Sequence, residues 1–511
     1  MTFAVPPSSE AGRTLESSRV HALVALAVVA VGVAARLWLG DRPLDYDSAN
    51  YAYVATRMID EGSGPLALFN NKPPGIYYWY VACFTAFGNG PLACHLTSII
   101  PDLFVIFAVA RLGRRLGGEL AGAAGAGLYA TLAAAVRLSG YGYTESPVAA
   151  LAMLAALFLT GRSDSSLKFV RACAAGIALG VASLFKQPAL LVALGLLVWT
   201  LSRREESRRG RVVALFCVGF LLVQAVLFAW LARTGQVHVY VQRTFLQGLS
   251  RGYAGGLDVS HRVSEWWRVV VLPLSLVLPL GLVALVSPSC RGTRGVAAAL
   301  VVPILVMSLV SYELYDHYLI PALPGLCLAA GEWLATRPPG WRARLAWSTT
   351  ALVQCVSLLV FLTDCPPRGS RVEPLLAGWR ARPLTLSYQL RVAAYVAATT
   401  ASDEPILSTG SEIPYLAHRR NAYRFLGVAP YLARLDAVGF TDFPAAAAGV
   451  RVLVLERWRL GLLPEPWVAD LDSPSGPWQR VTELDHPEFL VYRRRDFGQP
   501  SAILDFPRAG P

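Results

Sequence analysis

Charge is scarce in this chain. Only 16% of its 511 residues are Asp, Glu, Lys or Arg, where a soluble domain carries about 25%. With 54% hydrophobic residues and a mean hydropathy of +0.45, most of the chain belongs in lipid. A metal-ligating or disulfide pattern is also missing. The eight cysteines form no CxxC pair and mostly sit in apolar runs, so they read as small buried hydrophobes. No repeat at solenoid spacing and no low-complexity tract is present. Nor is there a basic patch interleaved with exposed aromatics, so the net charge of +12 does not point to nucleic acid. In a membrane protein the placement of Lys and Arg matters more than their total.

What the chain has in abundance is long apolar runs. Eleven are read as spans, at about 20–40, 92–111, 120–140, 147–161, 170–185, 187–201, 212–232, 267–288, 295–311, 318–335 and 345–363. The first, roughly 20 residues long, suits a retained span better than the short core of a signal peptide. With residue 1 on the cytoplasmic side, every second loop is basic: Arg111/Arg114/Arg115, Arg162/Lys168/Arg171, the 202–211 segment, Arg291/Arg294 and Arg337/Arg342/Arg344. That alternation satisfies the positive-inside bias. Counting 73–88 as a further span would invert it, so this segment is read as an interfacial helix of the first outer loop, 41–91. The tail, 364–511, carries strand-like runs near 405–408, 451–456 and 489–493, alternating with helical patterns at about 386–398 and 429–437. The expected architecture is an α-helical polytopic membrane domain, 1–363, followed by a small extracytoplasmic α/β domain, 364–511.

Ionisable residues at the outer loops are the candidates for chemistry. Asp47 opens a stretch with helical spacing, where a carboxylate serves equally as a cap or as an ionised general base. Asp45 follows Pro43 as a turn residue or as a second acid. Lys72 precedes Pro73 and Pro74, which keep it out of a helix at a surface where the natural anion is a lipid phosphate. Tyr77, Tyr78, Trp79 and Tyr80 are what any membrane interface attracts. Glu145 starts a span and reads as a cap or an acid. Lys186, before Gln187 and Pro188, is a cation at the membrane edge and hence a functional candidate. His317, beside Tyr318, either binds a phosphate or sugar or satisfies Asp316. The 233–266 loop adds Arg243, Arg251, Tyr253, His261, Trp266 and Trp267, a mixture suited to a sugar or an anionic headgroup. On this topology Asp47, Lys72, Glu145, Lys186 and His317 share the outer face, as one outward-opening cavity would require.

These residues resemble the GT-C glycosyltransferases that use polyprenyl-phosphate sugars, the class of protein O-mannosyltransferases and the lipid A aminoarabinose transferase. The likeness lies in Asp47-Ser48, Tyr51-Ala52 and Lys72-Pro73-Pro74, then in Glu145, Lys186-Gln187-Pro188, and His317-Tyr318 with Pro321 and Pro324. The tail stretch from Ile406 to Tyr415, followed by Arg419-Arg420, is similar as well. Two positions depart: Ser48 replaces a usual Glu, and Glu313 stands where many relatives carry arginine. The resemblance implies a multi-pass enzyme of the bacterial cytoplasmic membrane that transfers a sugar, with inversion, from a polyprenyl-phosphate donor to a lipid, glycan or protein acceptor. It implies Asp47, Asp45 and Glu145 as catalytic acids or bases, and Lys72, Tyr51, Lys186, His317 and Tyr318 as substrate-binding residues; the reading of the 233–266 loop adds Arg243 to the latter. No cofactor is required; the Asp45/Asp47 pair permits a divalent metal without demanding one. The rival reading is a transporter or flippase for a lipid or amphiphile. Transporters usually place ionisable groups near the bilayer midplane, often with repeat symmetry.

Overall fold

The structure, a computed structural model, describes residues 26–38, 42–66, 72–161, 165–203, 209–246, 277–310, 316–337, 341–364, 386–423 and 443–496. Within them, each expected apolar run carries a helix. These are α1 (Leu26–Trp38), α4 (Pro91–Gly117), the pair α5 (Glu119–Thr131) and α6 (Ala133–Ser139), α7 (Glu145–Leu159), α8 (Ser165–Ser183), α9 (Ala189–Ser202) and α10 (Arg209–Arg233), followed by helices at Val277–Val286, Arg294–Val310, Leu323–Ala335 and Trp341–Asp364. Among the described residues, Pro91–Gly117, Arg209–Arg233 and His317–Ala335 are long and apolar enough to cross a membrane, and α5–α6 makes a fourth if counted as one bent span. Between α1 and α4 lie α2 (Tyr46–Glu61) and α3 (Gly75–Phe87). The 13 residues of α3 rise about 20 Å, short of the roughly 30 Å hydrocarbon core. The sequence windows 247–276, 311–315 and 424–442, which hold Arg251, Tyr253, His261, Trp266, Trp267, Glu313 and the 429–437 helical pattern, lie outside the described residues.

Two compact units emerge, and each is discontinuous. One comprises 1–38, 98–230 and 256–362; the other comprises 39–97, 231–255 and 363–511. The division therefore does not follow the single boundary after residue 363 drawn from composition. The first outer segment clusters with the tail.

In the first unit, α5 and the Leu323–Ala335 helix approach closely through small residues. A Cβ on Gly331 would lie 2.5 Å from the Gly125 nitrogen, so this contact requires glycine, as membrane helix pairs often do. The same unit buries a charge network. Arg36 of α1 is fully buried and forms an ion pair with Asp102 of α4. Its guanidinium also donates to the carbonyls of Gly32 (3.0 Å), Ala130 (2.5 Å) and Tyr129 (3.3 Å), and the Tyr129 hydroxyl donates to Asp102. The reason is local: α5 ends at Thr131 and α6 begins at Ala133, with a 57° bend between them. The break leaves the last carbonyls of α5 without their usual helical donors, and Arg36 supplies replacements. A second carboxylate acts in a similar way. Buried Glu332 accepts from the amides of Gly292 (3.1 Å) and Thr293 (2.8 Å) and from the Thr293 hydroxyl (2.6 Å), capping the helix that starts at Arg294.

The second unit centres on a four-stranded sheet in the order β1-β2-β4-β3, with β1 at Leu407–Ser408, β2 at Val452–Glu456, β3 at Trp478–Arg480 and β4 at Phe489–Arg494. β1 runs parallel to β2, and the other neighbours are antiparallel. All five residues of β2 are buried, because both faces are covered. Alternation sorts the side chains. Leu453, Leu455, Leu490 and Tyr492 join one core with Phe443 and Trp478; Val452, Val454, Phe489 and Val491 join another with Tyr388, Val392 and Val396. The latter three come from the Leu386–Thr399 helix, which the sequence pattern places almost to the residue. Strand β3 escapes that reading because its three residues carry no alternating apolar signal.

Replacing Arg36 by Leu strands Asp102 and two helix-end carbonyls, and should cost about 3–5 kcal/mol. Adding Asp102→Leu should recover part of that loss. Thermal unfolding of the single and double variants in detergent measures it, and an Arg36→Leu protein as stable as wild type would contradict the account.

Acid groups in the tail carry a pH signature. Burial pushes the Glu412 carboxyl above its ordinary range, against the pull of the Arg459 guanidinium. The folded protein then binds a proton there more tightly than the unfolded chain, so this group's contribution to stability falls as pH rises from the ordinary glutamate range through the raised value. Glu412→Gln should flatten that fall. An unchanged slope of melting temperature between about pH 4 and pH 8 would show that Glu412 is not its source.

Candidate active site

Each unit holds one cluster of the residues singled out above. In the second unit, α2 begins where an extended Asp45 (φ −82°, ψ 170°) caps the helix through a hydrogen bond from the Ser48 amide, 3.0 Å. The Ser48 hydroxyl also donates to the Asp45 carboxylate. Asp45, rather than Asp47, therefore holds the cap. Asp47 is the second residue of the helix, in the first turn, where the helix dipole favours a negative charge. Gly62 closes α2 in the left-handed conformation, φ +63°. Lys72 sits in a bend immediately before Pro73 and Pro74, and α3 starts at Gly75, directly after the two prolines. Its ammonium lies 3.9 Å from the Asp47 carboxylate, both side chains about one-fifth exposed. At that separation the pair attracts electrostatically but is too long for a direct hydrogen bond.

Tyr51 packs against α3. It is buried between Tyr77 and Tyr80 of α3, with edge-on ring distances of 5.9 and 5.8 Å. The structure gives it a packing contact between α2 and α3. Arg243, in a single π-helical turn at Gln242–Leu246, donates to the Leu66 carbonyl at 3.3 Å and so steadies the chain that follows α2.

The first unit gathers Glu145, Lys186, His317 and Tyr318, which the chain keeps up to about 170 residues apart. The turn Tyr141–Tyr143 needs Gly142 at φ +58°, and it delivers Glu145 as the first residue of α7. Pro188 cannot continue α8 and instead starts α9, which leaves Lys186 in the turn between them. His317 enters on a 3-10 turn, Asp316–Ala322. All three ionisable groups are buried. Lys186 forms an ion pair with Glu145, and its ammonium lies 3.9 Å above the Tyr318 ring. His317 Nε2 is 3.7 Å from the same carboxylate oxygen. The Thr144 hydroxyl donates to the other oxygen at 2.8 Å. The His317 ring stacks on Tyr143 at 4.3 Å. An aromatic-walled ion cluster of this kind can hold a charged group of a substrate in fixed orientation.

Sequence reasoning missed Tyr143 and Thr144 as members of this cluster, because nothing in the chain says which tyrosine faces a distant histidine. It also passed over Arg36 and Asp102. There a signal existed: a lone charge inside each of two apolar spans. Among the described residues no group of three or more His, Cys, Asp or Glu side chains is arranged to hold a metal ion.

Removing Lys186 as Lys186→Met leaves Glu145 buried without its cation. The loss should be about 3–5 kcal/mol, and Glu145→Gln in the same chain should restore part of it. Chemical or thermal unfolding of the purified variants measures both. Additive losses would show that the two residues do not form one unit.

Residues 71–230 match the family of dolichyl-phosphate-mannose-protein mannosyltransferases. No curated protein matches the chain by sequence. Among solved structures, it is similar to ArnT from Cupriavidus metallidurans bound to undecaprenyl phosphate, with TM-score 0.66 and 17% identity over 96% of this chain and 100% of that one. ArnT from the same organism in the apo state gives TM-score 0.65 and 16% identity over 94% and 98%. The archaeal oligosaccharyltransferase AglB from Archaeoglobus fulgidus, in complex with an inhibitory peptide and a dolichol-phosphate, gives TM-score 0.51 and 11% identity over 88% and 73%.

Proposed function

From the GT-C glycosyltransferase fold that this chain shares with ArnT along nearly its whole length, we propose that it is a membrane glycosyltransferase. It moves a sugar from a polyprenyl-phosphate donor to an acceptor on the outer face of the bacterial cytoplasmic membrane, with the tail on that same side. The observation that carries this reading is the Asp47–Lys72 pair, 3.9 Å apart, on a fold whose solved representative holds undecaprenyl phosphate. The comparisons lend no support to the flippase alternative.

In the proposed reaction an acceptor hydroxyl attacks the anomeric carbon from the face opposite the phosphate. The new carbon–oxygen bond forms as the bond to the phosphate oxygen breaks. The hydroxyl proton passes to the Asp47 carboxylate, and the electron pair leaves with the polyprenyl phosphate. Negative charge on that phosphate grows through the transition state. Lys72 stabilises it there, and the phosphate needs no proton to depart. Within the first unit, Glu145 orients Lys186 and His317. Asp45 keeps the start of α2 in register. A divalent metal is neither required nor excluded by these roles.

The test is sugar transfer from a panel of radiolabelled polyprenyl-phosphate sugars by purified protein. Asp47→Asn should lower turnover by about 100-fold or more and leave undecaprenyl phosphate binding nearly unchanged. Lys72→Ala should weaken that binding, since it removes a cation from the leaving phosphate. Equal loss of binding and turnover in Asp47→Asn would remove the base assignment, and a wild-type protein inert with every donor would remove the transferase reading.

A further inference from the structure

We infer that the tail does more than complete the second unit: Gln389 and Arg459 are positioning residues that set the start of α2, and with it the Asp47 carboxylate, for the transfer reaction. The inference rests on the function proposed above and extends it to residues that lie more than 300 positions along the chain from Asp47.

The two residues grip the backbone and ring on either side of Asp45. Gln389, on the Leu386–Thr399 helix, is fully buried. Its amide oxygen accepts from the Leu44 N–H at 2.9 Å, and its amide nitrogen donates to the Leu44 carbonyl at 2.8 Å. One side chain thus answers both backbone groups of one residue, as a neighbouring strand would. Arg459 is 1% exposed. It forms an ion pair with Glu456 at 2.6 Å, donates to the Thr409 carbonyl, and holds its guanidinium carbon 4.3 Å from the centroid of the Tyr46 ring. Leu44 and Tyr46 are therefore each fastened to the tail, and Asp45, which caps α2, lies between them. Farther along α2 the attachment continues: the Tyr53 hydroxyl accepts from the Asn421 amide at 2.9 Å, and Arg420 pairs with Glu61 at 2.8 Å.

Chemistry favours positioning over mere adhesion. Burying a guanidinium carries a desolvation cost that an apolar contact of the same volume avoids, so a buried ion pair is a weak device for stability alone. What it supplies is direction. A bidentate amide and a planar cation over a ring fix distance and angle together, and a catalytic carboxylate works only within a fraction of an ångström of its productive place.

The experiment uses the full chain in nanodiscs: wild type, Gln389→Leu, Gln389→Glu, Arg459→Met and Arg459→Lys, with Arg480→Gln as a tail control. Three quantities are read: kcat and KM for the sugar donor that wild type turns over, affinity for undecaprenyl phosphate, and deuterium exchange at amides 46–50. In Gln389→Leu and Arg459→Met, kcat per undecaprenyl-phosphate-binding protein should fall about 10–100-fold. KM and affinity should stay within about twofold, and exchange at the start of α2 should rise. The conservative Arg459→Lys, which keeps the charge, should recover part of kcat, whereas Arg480→Gln should change neither. Unaltered exchange at 46–50, or raised exchange with full kcat, would overturn the inference. So would a loss carried wholly by a smaller binding-competent fraction, which would make the role structural only. Absence of wild-type turnover is a different result: it overturns the transferase reading itself.

Discussion

A charge buried away from water must meet an opposite charge or a set of hydrogen-bond donors and acceptors, and this requirement organises the whole chain. Apolar surface holds helices together without direction; the few buried ionic groups decide which helices meet and in what register. Arg36 ties α1 to α4 and to the end of α5. Glu332 joins its own helix to the start of the next one back in the chain. Glu145 and Lys186 join the starts of α7 and α9. In the second unit, Arg459 links β2, the β1 end and α2. Remove these contacts and the remaining apolar faces would still associate, but with far less to select one arrangement.

The two clusters of candidate residues differ in a way that matters for chemistry. Glu145, Lys186 and His317 are nearly inaccessible and closely joined, so their geometry is set before any ligand arrives. Asp47 and Lys72 are looser, at 3.9 Å and partly exposed. A carboxylate that must take a proton and a cation that must meet a phosphate are better served by this second state. At 3.9 Å their mutual contact is electrostatic rather than a direct hydrogen bond.

Much of this was legible in the chain. The helices follow the apolar runs because hydrocarbon admits little else. Strand β2 and strand β4 follow short β-like apolar runs, and Lys186 stands out because Pro188 must break the helix around it. Asp45 was harder: two acids two positions apart compete for one cap, and only the backbone shows that Asp45 wins. Tyr51 reads as a substrate contact from its motif position; its packing against Tyr77 and Tyr80 leaves no trace in the sequence. Partners separated by hundreds of residues, such as Leu44 with Gln389, leave no local trace at all. A glutamine in an amphipathic helix looks like any other polar residue until the backbone it serves is seen.

The discontinuity of the second unit follows from the same physics. Helix α2 carries Asp47, Asn50, Arg57, Asp60 and Glu61, and its residues Ser48 to Thr56 are buried on every side. Such a helix could not be covered by lipid, because its polar groups would lose water without gaining partners. It needs a protein neighbour that is polar at chosen points and apolar elsewhere. Helix α3 supplies aromatic rings along one side; the tail supplies Asn421, Arg420 and Arg459, and Gln389 holds Leu44 just before the helix. The segment bearing the acids and the segment farthest from it in sequence are therefore parts of one folding unit. A tail that folded without the 44–61 segment would leave the Gln389 amide without the Leu44 backbone and the Arg459 guanidinium without the Tyr46 ring, so this segment and the sheet have reason to become ordered together.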